Sequence, residues 1–181
     1  MNCPTNLWRN LASLMVAVTV IGVDPGSGCT GWGVVREESG VLRLVDCGAI
    51  RLKDADFSAR LAAIYHELVA IVGRCAPQEA AVEQVFTARN AATALKLGQA
   101  RGVALAACAA HGLSVRDYPP ALVKKSLVGV GSAEKSQVSF MVGRLLNVKE
   151  DWGADTGDAL AIAICHLTMR RFEQRAGLGK S

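Results

Sequence analysis

Apolar residues change their spacing several times along the chain, and each change predicts an element. Residues 16–23 form a short β-branched run ended by Asp24-Pro25-Gly26, the pattern of a buried strand and a turn. Two short segments follow, "TGWGVVREESG" and "VLRLVDCGAIRL", with a turn at Glu38-Ser39-Gly40, which predicts an antiparallel hairpin. From Ser58 to Cys75 the apolar residues Leu61, Ile64, Tyr65, Leu68, Ile71 and Val72 recur with a helical period, and Pro77 closes the segment. "EAAVEQVF" reads as a strand with Glu83 in its middle. Asn90 is a good N-cap for a long Ala-rich helix ending near His111-Gly112. "SVRDY" is a brief strand stopped by Pro119-Pro120. Ser132 then caps a helix to about Leu146, and a last helix runs from Asp155 to about Phe172.

This order predicts an α/β fold, a mixed five-stranded sheet with helices on both faces. No repeat or linker divides the chain. We expect a single domain over residues 15–172, an extension over 1–14 and a basic flexible tail over 173–181. Arg9 and "LASLMVAVTVIG" imitate a signal peptide, but the apolar stretch runs into Val23-Asp24 without a cleavage-type break. It is also too short to span a bilayer, and Met15 is an alternative start.

Composition narrows the class only slightly. At 181 residues, with 51% hydrophobic and 20% charged positions, the chain suits one globular domain and excludes disorder. A net charge of +4 permits a nucleic-acid partner without requiring one. The cysteines (Cys3, Cys29, Cys47, Cys75, Cys108 and Cys165) include no Cys-x-x-Cys pair, so neither zinc nor a disulfide framework is expected, and the compartment reads as reducing and cytoplasmic.

Gly26-x-Gly28-x-x-Gly31 spells a dinucleotide-binding turn. Such a turn must open a helix whose N-terminus faces the pyrophosphate. Here the glycines lead into another strand, and Asp24 adds a charge that would repel the pyrophosphate.

Four acids stand where acids are unfavourable: Asp24 at a strand end, Glu83 inside "AAVEQVF", and Asp155 and Asp158 three apart on one helix face. Singly, each has a plain structural explanation; Asp155 would offset a helix macrodipole, and Glu83 could face solvent. Together, two strand-end acids and an acidic helix pair would converge if both strands are central. Clustered carboxylates need a cation, and all-oxygen ligands suit magnesium or manganese. Two such ions could hydrolyse a phosphodiester.

Lys124 and Lys125 precede "GVGSAEKS", where the Ser132 helix start and Lys135 would make an anion site. Glu134 stands where a phosphate-binding loop requires glycine, which excludes an ATPase. Phe86 and Arg89 lie just beyond the Glu83 strand, where an exposed aromatic would suit base stacking and a ring folded on the core is the alternative. Ala94, Gly98, Gly102, Ala106 and Ala110 form a stripe of small residues, open to a second helix or to the chain's own sheet.

"GVDPGSGCTGWGVV", "EQVFTARNAATALKLGQARGVAL", "VKKSLVGVGSAEKSQV" and "ADTGDALAIAICH" closely resemble the RuvC Holliday junction resolvases of bacteria, over about residues 18–167. The resemblance implies a ribonuclease H-like fold, a homodimer and metal-dependent paired nicking of four-way DNA junctions. It implies Asp24, Glu83, Asp155 and Asp158 as catalytic acids holding two Mg2+ ions, with Mn2+ as an alternative. Asp24 would bridge the ions, with Glu83 on one and the Asp155/Asp158 pair on the other. Lys124, Lys135 and Phe86 match residues that contact DNA in the family, and RuvA and RuvB would be partners. The rivals are a RuvC-like RNA-processing nuclease and a junction-binding scaffold without catalysis.

Overall fold

The computed structural model describes residues 17–53, 56–84 and 90–177. The proposed extension over 1–14, together with Phe86 and Arg89, lies outside the described residues. Five strands form one mixed sheet: β1 (Val18–Asp24), β2 (Cys29–Glu38), β3 (Val41–Arg51), β4 (Glu79–Glu83) and β5 (Ser114–Tyr118), in spatial order β3-β2-β1-β4-β5. The hairpin β2–β3 is antiparallel, as expected, and β1 pairs antiparallel with β2. β4 runs parallel to β1 and to β5, so β1 is central. Helices α1 (Phe57–Cys75), α2 (Ala91–Ala110), α3 (Pro120–Val128), α4 (Lys135–Leu146) and α5 (Ala154–Arg175) complete the chain.

Strand alternation sorts the β1 side chains into two cores. Ile21 and Val23 face α1 and α2, packing with Ile64, Leu68, Ala104 and Cys108. Val18 and Val20 face α3–α5, packing with Val142, Leu160 and Ile164. The helical period expected from Ser58 is present in α1, although Asp56 caps it by accepting from the Ser58 and Ala59 amides. Asn90 caps α2 as expected, accepting from Thr93 N at 2.9 Å.

α5 packs unusually close to the sheet, and glycine makes this possible. A Cβ on Gly22 would stand 2.1 Å from Ala159 O, and one on Gly31 would stand 2.0 Å from Asp155 O. The third glycine of the apparent dinucleotide turn is therefore a seat for a helix on β2. The turn itself joins two antiparallel strands, pinned by Thr30 Oγ1 bonding the Gly26 backbone.

Pro119-Pro120 stops β5 at Tyr118, as expected, and Pro120 opens α3, because proline is tolerated in a helix's first turn where its missing N–H is not needed. Two expectations are corrected. Ser132 does not cap the next helix. α4 starts at Lys135 with Glu134 at the N-cap, and the Gln137 side chain accepts from Glu134 N at 3.0 Å. α5 continues to Arg175, into the segment assigned to a tail, where Glu173 pairs with Arg116 at 2.7 Å.

The small-residue stripe does not pack on the chain's own sheet. Ala100, Ala104, Ala107 and Cys108 carry the inward packing of α2. Ala94, Gly98, Gly102, Ala106 and Ala110 are all exposed, and an added Cβ on Gly98 or Gly102 would meet nothing within 4 Å among the described residues.

Candidate active site

β1 and β4 run parallel in step, with Val23 opposite Val82. Each strand then ends on an acid, Asp24 and Glu83, so the topology sets two carboxylates side by side at the centre of the sheet's C-terminal edge. α5 crosses the same face, and the close seat at Gly22 and Gly31 brings its first turns to that edge. Asp158 joins Asp24 and Glu83 in one cavity of about 200 Å³, which Lys124 of α3 and Lys135 of α4 also line. Asp155, one turn earlier, faces the adjoining side of β2, beside the Cys29 thiol.

The electrostatics follow from that crowding. Burial, reinforced by Glu83 and then by Asp158 and Asp155, pushes the Asp24 carboxyl up to about 8. Burial also raises Glu83, which shares a hydrogen bond with Asp24. Neighbouring carboxylates in such a setting cannot all ionise without added positive charge. Lys135 supplies one such charge, its Nζ lying 2.5 Å from Asp158 Oδ2. Burial and Asp155 together push the Cys29 thiol up to about 11, so it is a neutral neighbour.

The donors are carboxylate oxygens, the chemistry of a hard divalent cation. Among the described residues no three His, Cys, Asp or Glu side chains already enclose an ion site. Waters and phosphate oxygens would complete the shell, as magnesium commonly permits.

Of the other sequence candidates, Lys124 and Lys135 reach the acid cavity. Lys125 is exposed on α3 beyond that cavity's lining, and Ser132 is exposed in the turn before α4. Two features are not apparent from sequence. Arg101 of α2 donates to Glu83 O at 3.2 Å and pairs with Asp117 at 2.5 Å, fixing the end of β4 against β5. The Lys135–Asp158 pair joins residues 23 apart. Neither spacing carries a local signal, because both pairs form only when separate elements pack.

Known proteins share this architecture and much of this sequence. The family model for crossover junction endodeoxyribonuclease RuvC matches residues 20–166. The crossover junction endodeoxyribonuclease RuvC of Oleidesulfovibrio alaskensis is 67% identical over 159 residues, spanning 88% of this chain and 96% of that protein. Its counterpart from Nitratidesulfovibrio vulgaris strain Hildenborough is 64% identical over 91% of this chain and 99% of its own. Thermus thermophilus RuvC, solved in complex with Holliday junction substrate, matches with a TM-score of 0.82 and 32% identity over 87% of this chain and 97% of that one. With two strand-end acids, an acidic helix pair and a ribonuclease H-like sheet, the chain belongs to the RuvC family of crossover junction endodeoxyribonucleases.

Proposed function

We propose that this protein resolves Holliday junctions during DNA recombination and repair, cutting two opposed strands symmetrically to leave 5′-phosphate and 3′-hydroxyl ends. The observation carrying this reading is the shared cavity of Asp24, Glu83 and Asp158, rimmed by Lys124 and Lys135. Carboxylates at the centre and ammonium groups at the edge suit a phosphodiester approached through divalent cations.

Asp24, Glu83, Asp155 and Asp158 would hold two Mg2+ ions, with Mn2+ able to substitute. When bound, such ions activate a water and stabilise the leaving oxygen of a phosphodiester. Asp24 feels the charges of Glu83, Asp158 and Asp155, so its carboxylate would be the one to share between the two ions. Lys124 and Lys135 bind the strand's phosphates and hold the scissile group over the acids. Lys125, exposed on the same helix as Lys124, meets DNA farther from the cut. Phe86 completes the DNA-binding set implied by the family, and Arg89 and Ser132 are further DNA-binding candidates read from the sequence.

One junction needs two cuts, which two-fold symmetry provides. The exposed stripe on α2, with Leu95 65% exposed on the same helix, supports a homodimer joined through that face. RuvA and RuvB would supply branch migration, in the cytoplasm. Among the described residues, no helix is long and apolar enough to cross a membrane.

The test is cleavage of a labelled four-way junction with a mobile core, beside linear duplex and an RNA–DNA hybrid, with magnesium and with chelator. Paired, metal-dependent nicks confined to the junction are expected. Cutting of the hybrid instead would indicate an RNA-processing nuclease, and binding without nicks would indicate a scaffold.

A further inference from the structure

A second and larger cavity, of about 720 Å³, adjoins the acids on the α5 side. Asp155 lines it, and Asp155 also acts electrostatically on Asp24, so the cavity lies near the acid cleft. Arg51 and Lys53, at the end of β3 and just beyond it, bring two positive charges to the cavity. Neither forms an ion pair with a described residue. Ala49 and Leu52 add apolar lining beside them, and Trp152 adds an aromatic wall. The indole is held in place: its Nε1 donates to Ser139 Oγ at 3.3 Å, and its ring lies against Gly157. Asp151 also lines the cavity, and its charge makes the Arg51–Lys53 side the favourable one for an anion.

A rigid aromatic wall, a small apolar surface and two cations suit a nucleotide better than any part of it alone. The volume lies within the roughly 300–1,000 Å³ common for small-molecule sites. Bases gain from aromatic and apolar contact irrespective of sequence, while Arg and Lys neutralise phosphate. Lys124 and Lys135 line the acid cleft, whereas Arg51 and Lys53 line the cavity on the Asp155 side. A strand crossing the acids would therefore meet positive charge both at the cleft and beyond it.

We infer that this cavity is a subsite for one nucleotide of the cleaved strand, next to the scissile phosphate on the Asp155 side. Its base lies toward Trp152, and its phosphate lies toward Arg51 and Lys53. The subsite rests on the resolvase reading and deepens it, because a nucleotide held there contributes to where the enzyme cuts.

The test uses the full chain, a four-way junction with one mapped cut site, and copies of that junction carrying a single neutral methylphosphonate linkage. The linkage is moved through the positions flanking the scissile phosphate. Wild-type protein is expected to lose about tenfold in kcat/KM when one flanking linkage is neutralised, on the scale of a single charge-assisted contact. The double variant Arg51→Ala/Lys53→Ala is expected to cut the unmodified junction about tenfold less efficiently and to lose nothing further from that same linkage. Both substitutions are at exposed side chains, and residual cutting of the unmodified junction reports that the fold and the acids are intact. Equal sensitivity of the two proteins at every linkage overturns the subsite and leaves the resolvase reading standing. A wild-type protein that nicks no junction overturns both.

Discussion

Lys135 Nζ stands 2.5 Å from Asp158 Oδ2, joining the first residue of α4 to the first turns of α5. The lysine is 69% exposed and the carboxylate 23%, so the pair sits at the rim, where a phosphate or a cation can compete for either partner. Asp158 holds the Lys135 ammonium above its ordinary pKa. The ammonium is therefore charged throughout the neutral range.

Lys135→Ala is expected to separate two functions. Removing a positive charge beside the acids should tighten divalent-ion binding several-fold, while losing a phosphate contact should slow cleavage by about tenfold or more. Manganese titration by calorimetry and single-turnover cleavage would read the two effects. Weakened metal binding would mean that Lys135 organises the acids.

Asp24→Asn is expected to abolish cutting while leaving junction binding intact or tighter, since a repulsive charge is lost. Its pH signature is separate. A carboxyl raised from 3.8 to about 8 contributes stability that is fully present below the lower value and lost as pH rises through the upper one. Without metal, the wild-type protein should therefore lose stability relative to Asp24→Asn between about pH 4 and 8. Thermal melts of both proteins in chelator would show it.

The opposite slope is expected at the far end of β4. Glu79 accepts from His166 Nε2 at 2.6 Å and from Arg170 at 2.9 Å, while Tyr118 and His166 Nδ1 are 2.9 Å apart. The His166 bond, with Arg170 behind it, holds Glu79 below its usual carboxylate range. Its contribution is present above the unfolded value of 4.5 and lost as pH falls through the lower folded value. Glu79→Gln should destabilise the protein by about 1–3 kcal/mol at neutral pH, and the deficit should shrink in acid. Denaturant unfolding at pH 7 and below pH 4.5 would measure that narrowing.

If the proposed homodimer joins through α2, Gly98→Leu should break it without unfolding the chain. Gly98 is exposed, and an added Cβ there would meet nothing within 4 Å among the described residues. Sedimentation at micromolar concentration is expected to show monomer, with paired nicks replaced by slow single ones. An unchanged dimer would move the interface to another face.

Much of the fold is legible because its signals are local. The valine run of β1, the hairpin at Glu38-Ser39-Gly40, the 3.6-residue period of α1 and the Asn90 cap each depend on neighbours in sequence. The departures are local too. Ser132 competes as a cap with Glu134, which Gln137 decides. The acids are legible because carboxylates interrupt apolar patterns, whereas Arg101 and the Arg51–Lys53 cavity interrupt nothing.

By itself, the sequence determined the two-sided strands, the helical faces and the identity of the acids, all properties of residue type and short-range spacing. Only the tertiary structure decided that Asp24 and Glu83 end adjacent strands, since residues 59 apart become neighbours through the parallel β1–β4 pairing. It alone showed why Gly22 and Gly31 are glycines: α5 lies too close to β1 and β2 for a Cβ, and that approach brings Asp155 and Asp158 to the strand ends. Carboxylates resist being gathered, so their convergence depends on the packing of the rest of the domain, which no local pattern encodes.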